Sequence, residues 1–223
     1  MDFENLLQIL VTAIVQGITE FLPISSSGHL IFINELFSWK DINLTLIVAA
    51  HLGTLFAVIN YFWEDCKKYF LLGPLEIFSK KKTFNFNLFL NLFYSSIPII
   101  IFGAFLNFYK INYIYHPWLI ASSAIIFSLL LFFSDKNKTK KKLNDISFKD
   151  SFIIGIFQIF ALIPGSSRAG VCITAARFLG FNRICAAKYS MYLSIPAISG
   201  ATFLIFFDII KQNSFFLWIE VIS

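Results

Sequence analysis

Hydrophobic and polar positions in this chain separate by whole segments, not by single residues. Four unbroken apolar blocks, 42–63, 88–109, 117–134 and 189–210, each come close to the roughly 20 residues that cross a bilayer as a helix. Two further apolar regions, 6–37 and 151–181, are interrupted near their centres. The first break reads Pro23-Ile24-Ser25-Ser26-Ser27-Gly28 and the second Pro164-Gly165-Ser166-Ser167-Arg168-Ala169-Gly170. A last stretch, 215–223, reads as the opening of a helix too short to span. The pattern predicts an all-α integral membrane protein, a multi-helix bundle forming a single transmembrane domain over 1–223.

Composition sharpens this. The chain is 57% hydrophobic and 14% charged, against about 25% charged in a soluble domain, and its mean hydropathy is +0.74. That excludes a soluble globular domain. The 29 Phe suit helices that face lipid. Met1-Asp2-Phe3-Glu4 is acidic where a cleavable signal peptide is basic, so the first apolar segment is expected to stay in the mature protein. Cys66, Cys172 and Cys185 have no metal spacing and read as small apolar residues.

The charge distribution speaks to orientation. Segment 64–86 carries Lys67, Lys68, Lys80, Lys81 and Lys82; segment 135–149 carries Lys136, Lys138, Lys140, Lys141, Lys142 and Lys149. These 11 of 18 basic residues sit in two loops separated by two spans. The positive-inside rule puts both in the cytoplasm. The net charge of +5 is therefore a topology signal, not a nucleic-acid site. Residues near Trp39 and the loop 110–116 are expected on the opposite side.

The two breaks echo each other: apolar run, Pro, one residue, Ser-Ser, one residue, then small residues. A second echo pairs Ser96-Ile97-Pro98 and Gly103-Ala104 with Ser194-Ile195-Pro196 and Gly200-Ala201. The spacings differ, so this is degenerate repetition. Broken apolar segments at matching places in two halves point to a binding site at the repeat interface. Simple kinks are the alternative, but kinks do not explain why both breaks carry hydroxyls and ionisable groups.

Glu20 is the only acid between Glu4 and Glu35. A carboxylate inside an apolar segment costs at least about 2.5 kcal/mol, so it needs a partner or a task. Gln16 sits one turn earlier on the same face. Pro23 disfavours helix at Leu22, so the first half-helix is expected to stop there. Ser25, Ser26 and Ser27 can cap a second half-helix, whose free amides form an anion site. His29, an imidazole able to move a proton, lies just beyond. In the second break, Arg168 calls for a phosphate or an acid, a structural ion pair with Glu20 being the alternative. Gly165 and Gly170 would let backbone approach a phosphate, with Ser166 and Ser167 between them.

The run Gln16-Gly17-Ile18-Thr19-Glu20-Phe21-Leu22-Pro23-Ile24-Ser25-Ser26-Ser27-Gly28-His29 and the run Pro164 to Arg168 resemble the two signature motifs of the undecaprenyl-diphosphate phosphatase family, also called bacitracin resistance proteins. Ala50-His51-Leu52-Gly53-Thr54 and Leu193-Ser194-Ile195-Pro196 are similar to family segments too, and the likeness runs from about 6 to 210. It implies a bacterial inner-membrane enzyme with a periplasmic active site. Such an enzyme removes the terminal phosphate of undecaprenyl diphosphate and so recycles the lipid carrier of peptidoglycan synthesis. It implies inverted repeats and two re-entrant helix pairs, about 6–37 and 151–181; with the lysine-rich loops inside, the first pair is expected to open outward and the second inward, their tips meeting near the midplane. By resemblance Glu20 is the essential motif glutamate, Ser26 the nucleophile, His29 the motif histidine, and Ser167 with Arg168 the phosphate-binding pair. Ser25, Ser27 and Gly28 join the phosphate site, as do Gly165 and Ser166.

Ser26 and His29, three apart, are expected to share one face as nucleophile and base. Glu20 would orient His29 or hold a divalent cation, Mg2+ or Ca2+, with no organic cofactor. Many members have Glu at the position of Gln16, which weakens a two-carboxylate metal site. Members also continue for about two more helices. Expected partners are the polyprenyl diphosphate and the surrounding membrane lipids, with no nucleic acid and with homo-oligomerisation left open.

Two other functions compete. Membrane acid phosphatases related to phosphatidate phosphatase need a histidine six residues after the arginine, where this chain has Thr174, and a Lys-rich motif that is absent. A polyprenyl-phosphate flippase would share the inverted architecture, and both activities could reside in one protein. His51 reads as a mid-span residue bonded within the bundle, and His116 as a solvated loop residue. Arg177 and Arg183 read as either phosphate ligands or interface anchors.

Overall fold

The computed structural model describes residues 3–39, 44–78, 83–109, 116–137 and 140–211. Lys80, Lys81, Lys82 and Lys138 and the stretches 40–43, 110–115 and 212–223 lie outside the described residues. The helices are α1 Phe3–Thr19, α2 Ser26–Leu36, α3 Leu44–Tyr61, α4 Trp63–Cys66, α5 Gly73–Leu75, α6 Phe84–Phe108, α7 Pro117–Asp135, α8 Phe148–Gln158, α9 Arg168–Phe178 and α10 Arg183–Lys211. Among the described residues there is no strand, only one bridge between Lys141 and Phe181. Helices α6 and α7 and the stretch Arg183–Phe206 are long and apolar enough to cross a membrane, and the bent pair Thr45–Tyr61 with Trp63–Phe78 makes a fourth if taken as one span.

An apolar core of Leu88, Leu92, Ile154, Val171, Tyr189, Tyr192 and Leu193 joins α6, α8, α9 and α10, whereas α1 and α7 turn polar residues inward and apolar ones outward. On α1, Leu6, Leu10, Ile14 and Ile18 recur every fourth residue and are exposed, while Thr12, Gln16 and Thr19 are buried. A helix presents residues four apart on one face, so the polar stripe of α1 faces protein and the apolar stripe faces outward. Helix α7 repeats this, with Ile125, Ile126, Leu129, Phe132 and Phe133 exposed and Ser123 and Ser134 buried. Burying hydroxyls and amides is tolerable only when they find partners. Ser95 does so by donating to the Ser151 carbonyl at 2.6 Å and by a 2.9 Å contact with the Tyr189 hydroxyl.

Both interrupted regions are broken helix pairs. The first is α1 and α2, the second α8 and α9, and each second helix has 11 residues. Their tips meet: Ser167 Oγ donates to the Leu22 carbonyl at 3.1 Å, and a methyl added at Gly170 would stand 3.5 Å from Pro23. Helix α1 stops at Thr19, earlier than the expected Leu22. The clamp behind the second pair is tight. A methyl at Gly155 would lie 2.5 Å from the Ser95 carbonyl oxygen, so only glycine lets α8 approach α6 this closely.

One expected loop proves to be helical. Residues 63–78 continue the chain as short helical segments bent by 86° from α3. Tyr69 buries itself against Tyr192 and Phe84, and Lys188 reaches Asp65 at 2.8 Å. Lysine spacing marks a side of the membrane but not the absence of structure, because the buried Tyr69 is hidden among exposed lysines in the sequence. Arg177 and Arg183 both pair with Asp135, at 3.2 and 2.5 Å, and so tie the end of α7 to α9 and to the start of α10. Neither lines the cavity between the tips.

Candidate active site

Each tip is built from a capping serine. The Ser25 side chain accepts from the Gly28 amide at 3.3 Å, and the Ser167 side chain accepts from the Gly170 amide at 3.2 Å. This places Ser25 opposite Ser167 and Gly28 opposite Gly170, a constant offset of 142 positions. The Pro-x-Ser-Ser echo aligned Ser25 with Ser166, one residue away. The shared prolines misled it: at the true register Leu22 stands opposite Pro164, and Gln16 opposite Gln158. Both glutamines are fully buried.

At this register Ser26 and Arg168 are equivalent, each the first residue of its helix. Both turn to the same group. Ser26 Oγ donates to Glu20 Oε2 at 2.8 Å, and Arg168 Nη2 donates to Glu20 Oε1 at 2.8 Å. Gln16 Nε2 donates to Glu20 Oε2 at 2.8 Å. Arg168 Nη1 also donates to the Ser190 carbonyl at 3.2 Å, which ties the guanidinium to α10. Glu20 is buried, and this set of donors offsets the cost of burying a charge. The ion pair between Arg168 and Glu20 is thus present.

These groups line a cavity of about 260 Å³. Its lining combines polar groups, Glu20, Ser25, Ser26, Ser27, His51, Ser166, Ser167 and Arg168, with apolar side chains, among them Ile47, Val48, Ile99, Ala197, Ile198, Ala201 and Ile205. The first amides of α2 and α9 have no carbonyl to bind within their own helices. Two positive helix starts therefore meet beside one guanidinium, an arrangement suited to an anion with an apolar tail.

Not every expected residue takes part. His29 does not line the cavity; it is exposed, and its Nδ1 bonds the Ser25 carbonyl at 2.8 Å. The Ser26 hydroxyl is turned to Glu20 instead, so the expected Ser26–His29 pair is not formed. Sharing a helix face three residues apart was satisfied on the wrong side of the tip. Gly165 does not cradle a ligand either. Its φ is +93°, and an added methyl would lie 2.2 Å from Ser123 Oγ and 2.3 Å from the Ile120 carbonyl oxygen, so its space belongs to α7. Ser166 spends its hydroxyl on the carbonyls of Phe160 and Ile163. Gly28 packs near Ile120 of α7. Ser27 faces the cavity, 3.3 Å from Ser25 Oγ.

His51 was undervalued. It lines the cavity, and its Nε2 stands 3.7 Å from Glu20 Oε2. The signal was available, since His51 is the one charge-bearing side chain in 44–61, and such residues inside a span mark function as Glu20 does.

The residues do not fit a protein-built metal centre. Both Glu20 oxygens already receive donors, one of them a guanidinium, and Gln16 presents its NH2 to that carboxylate while its Oε1 is buried without a partner. Among the described residues no three His, Cys, Asp or Glu side chains gather. Mg2+ and Ca2+ want about six to eight oxygens in a shell, and one occupied carboxylate does not begin to supply it.

Residues 9–222 match the model of the family described as bacitracin resistance protein BacA. A protein of Jannaschia sp. (strain CCS1) named undecaprenyl-diphosphatase is 43% identical over 199 residues, covering 87% of this chain and 73% of that protein. Proteins of the same name in Alteromonas mediterranea and Pelagibacter ubique are 37% and 38% identical, covering 96% and 99% of this chain and 81% and 82% of their own lengths. A multi-pass helical protein with both motif tips folded onto one carboxylate, matched over nearly its whole length, belongs to the bacitracin resistance protein BacA family.

Proposed function

We propose that this protein is an undecaprenyl-diphosphate phosphatase of a bacterial inner membrane, with its cavity open to the periplasmic side. It hydrolyses the terminal phosphate, leaving undecaprenyl phosphate for another round of peptidoglycan synthesis. One observation carries the reading: the Ser26 hydroxyl and the Arg168 guanidinium meet on Glu20 between two helix starts, in a cavity also lined by apolar side chains.

The chemistry follows from those contacts. Ser26 Oγ–H already donates to Glu20, so Glu20 takes the proton as Ser26 attacks the terminal phosphorus. The amides at the starts of α2 and α9 hold the phosphoryl oxygens, where charge builds in the transition state. Arg168 exchanges one carboxylate oxygen for phosphate oxygens, and a rigid guanidinium fork suits that better than an ammonium. His29 acts through the turn: its Nδ1–H and its backbone N–H both reach the Ser25 carbonyl and hold the start of α2. A divalent cation enters this reading only as a companion of the diphosphate.

The test is phosphate release from undecaprenyl diphosphate by purified protein, with and without chelator. Release by wild type and its loss in Ser26→Ala are the expected results. A flippase reading has one observation in its favour. A second cavity of about 790 Å³, lined by Gly17, Phe21, Val58, Tyr61, Lys188 and Met191, uses the opposite ends of α3 and α10. A pure flippase would release no phosphate.

A further inference from the structure

The chain has three histidines, and only one faces the reacting groups. His29 is exposed and committed to the Ser25 carbonyl. His116 is exposed and caps α7, its Nδ1 accepting from the Trp118 amide at 3.4 Å. His51 sits at the middle of α3, and its Nδ1 lies 2.8 Å from the Ile47 carbonyl. A carbonyl only accepts, so Nδ1 carries a hydrogen and the tautomer is fixed. Nε2 is left to face the cavity, 3.7 Å from the Glu20 oxygen that receives the Ser26 hydroxyl. A histidine satisfied by its own helix has no need to point its second nitrogen at a buried carboxylate.

We propose that His51 is the general acid that protonates the leaving lipid phosphate. The assignment rests on the hydrolytic reading above. In the first step Ser26 Oγ bonds to the terminal phosphorus and its proton passes to Glu20. The bond from that phosphorus to the bridging oxygen breaks, and its electron pair stays on the bridging oxygen of the lipid phosphate. That oxygen takes the Nε2 proton of His51. In the second step water attacks the phosphoserine and gives its proton to His51 Nε2. The Ser26 oxygen leaves phosphorus and recovers its proton from Glu20. Glu20 returns as carboxylate and His51 as imidazolium, so protons and charge balance over the cycle.

His51 is the one imidazole that lines this cavity. The charged groups facing it are Glu20 from the first tip and Arg168 from the second. The cavity positions of α6 and α10, such as Ile99, Ala197 and Ile198, do not titrate, nor do the serines of α2. A general acid must be protonated to act, so turnover falls as pH rises through its titration, whereas a residue that merely orients Glu20 leaves that limb in place.

The experiment measures kcat, KM and the pH profile of kcat for wild type and His51→Gln on undecaprenyl diphosphate in detergent. Gln keeps a hydrogen-bonding side chain but does not titrate. Expected are a kcat loss of about 10²-fold or more with KM changed only a few-fold, and disappearance of the alkaline limb. His51→Ala should then regain turnover with added imidazole, more at the pH where imidazole is protonated. A wild-type-like melting temperature for both variants excludes misfolding. If His51→Gln keeps kcat within about threefold, or loses it with the alkaline limb unchanged, the assignment is overturned. A wild type that releases no phosphate sinks the hydrolytic reading itself, which distinguishes the two failures.

Discussion

The two tips share a fold and differ in chemistry. Each is a capped helix of 11 residues entered through a turn, with a fully buried glutamine behind it and a glycine in its first turn. The first tip adds an acid, Glu20, and a hydroxyl, Ser26; the second has Leu162 and Arg168 at the same two positions. The repeated backbone supplies anion-binding amides twice over. The chemistry comes from where the repeat is broken, since an acid from one half holds the first residue of both helices. The tips also differ in strain. Ser25 caps its helix with a φ of +60°, whereas Ser167 does so at −78° and leaves the left-handed residue to Gly165.

Removing what one tip has and the other lacks should have the largest effect. Ser26→Ala should lose about 10³-fold or more in kcat, measured as phosphate release, because among the described residues no other hydroxyl bonds Glu20. Arg168→Lys should lose about 10²-fold, since the charge stays but the fork goes. Near-normal turnover with lysine would reduce Arg168 to a plain charge. The Glu20→Gln and Arg168→Lys changes should also be strongly non-additive in a double-mutant cycle, because each leaves the other without its partner.

The scaffolds behind the tips should differ too. Gly155→Ala in α8 forces a methyl against the Ser95 backbone and should destabilise by about 1–3 kcal/mol in a thermal unfolding assay. Its counterpart 142 positions earlier, Ala13, is exposed on α1, and Ala13→Val should stay within about 0.5 kcal/mol. The smallest effect is expected at the caps. Ser167→Ala should cost about 1 kcal/mol, whereas Ser25→Gly should cost only a few tenths, because glycine accepts the positive φ that Ser25 endures.

Much of this was legible in the sequence. Glu20 and Arg168 stood out because charge inside an apolar run needs a reason, and Ser25 to Ser27 because short hydroxyl side chains start helices. The errors have physical causes. The echo was aligned on proline, but the cap geometry aligns on the serine that accepts the amide, one residue later. Gly165 signalled close approach correctly, yet a sequence does not say whether a ligand or helix α7 comes close. Ser26 and His29 share a face by spacing alone, and the fold turns that face so that only Ser26 meets Glu20. His51 reads from its mid-span position as bonded within the bundle, and its significance lies in a contact with Glu20, 31 positions away in the chain.

The central claim is that the first tip attacks the phosphorus that the second tip helps to hold. The stereochemical course at that phosphorus tests it most directly. Undecaprenyl diphosphate carrying a chiral, isotopically labelled terminal thiophosphate is hydrolysed in labelled water, and the configuration of the released thiophosphate is read. Two displacements, onto Ser26 and then onto water, give overall retention. Inversion would mean a single attack by water, and would leave Ser26 as a ligand on Glu20.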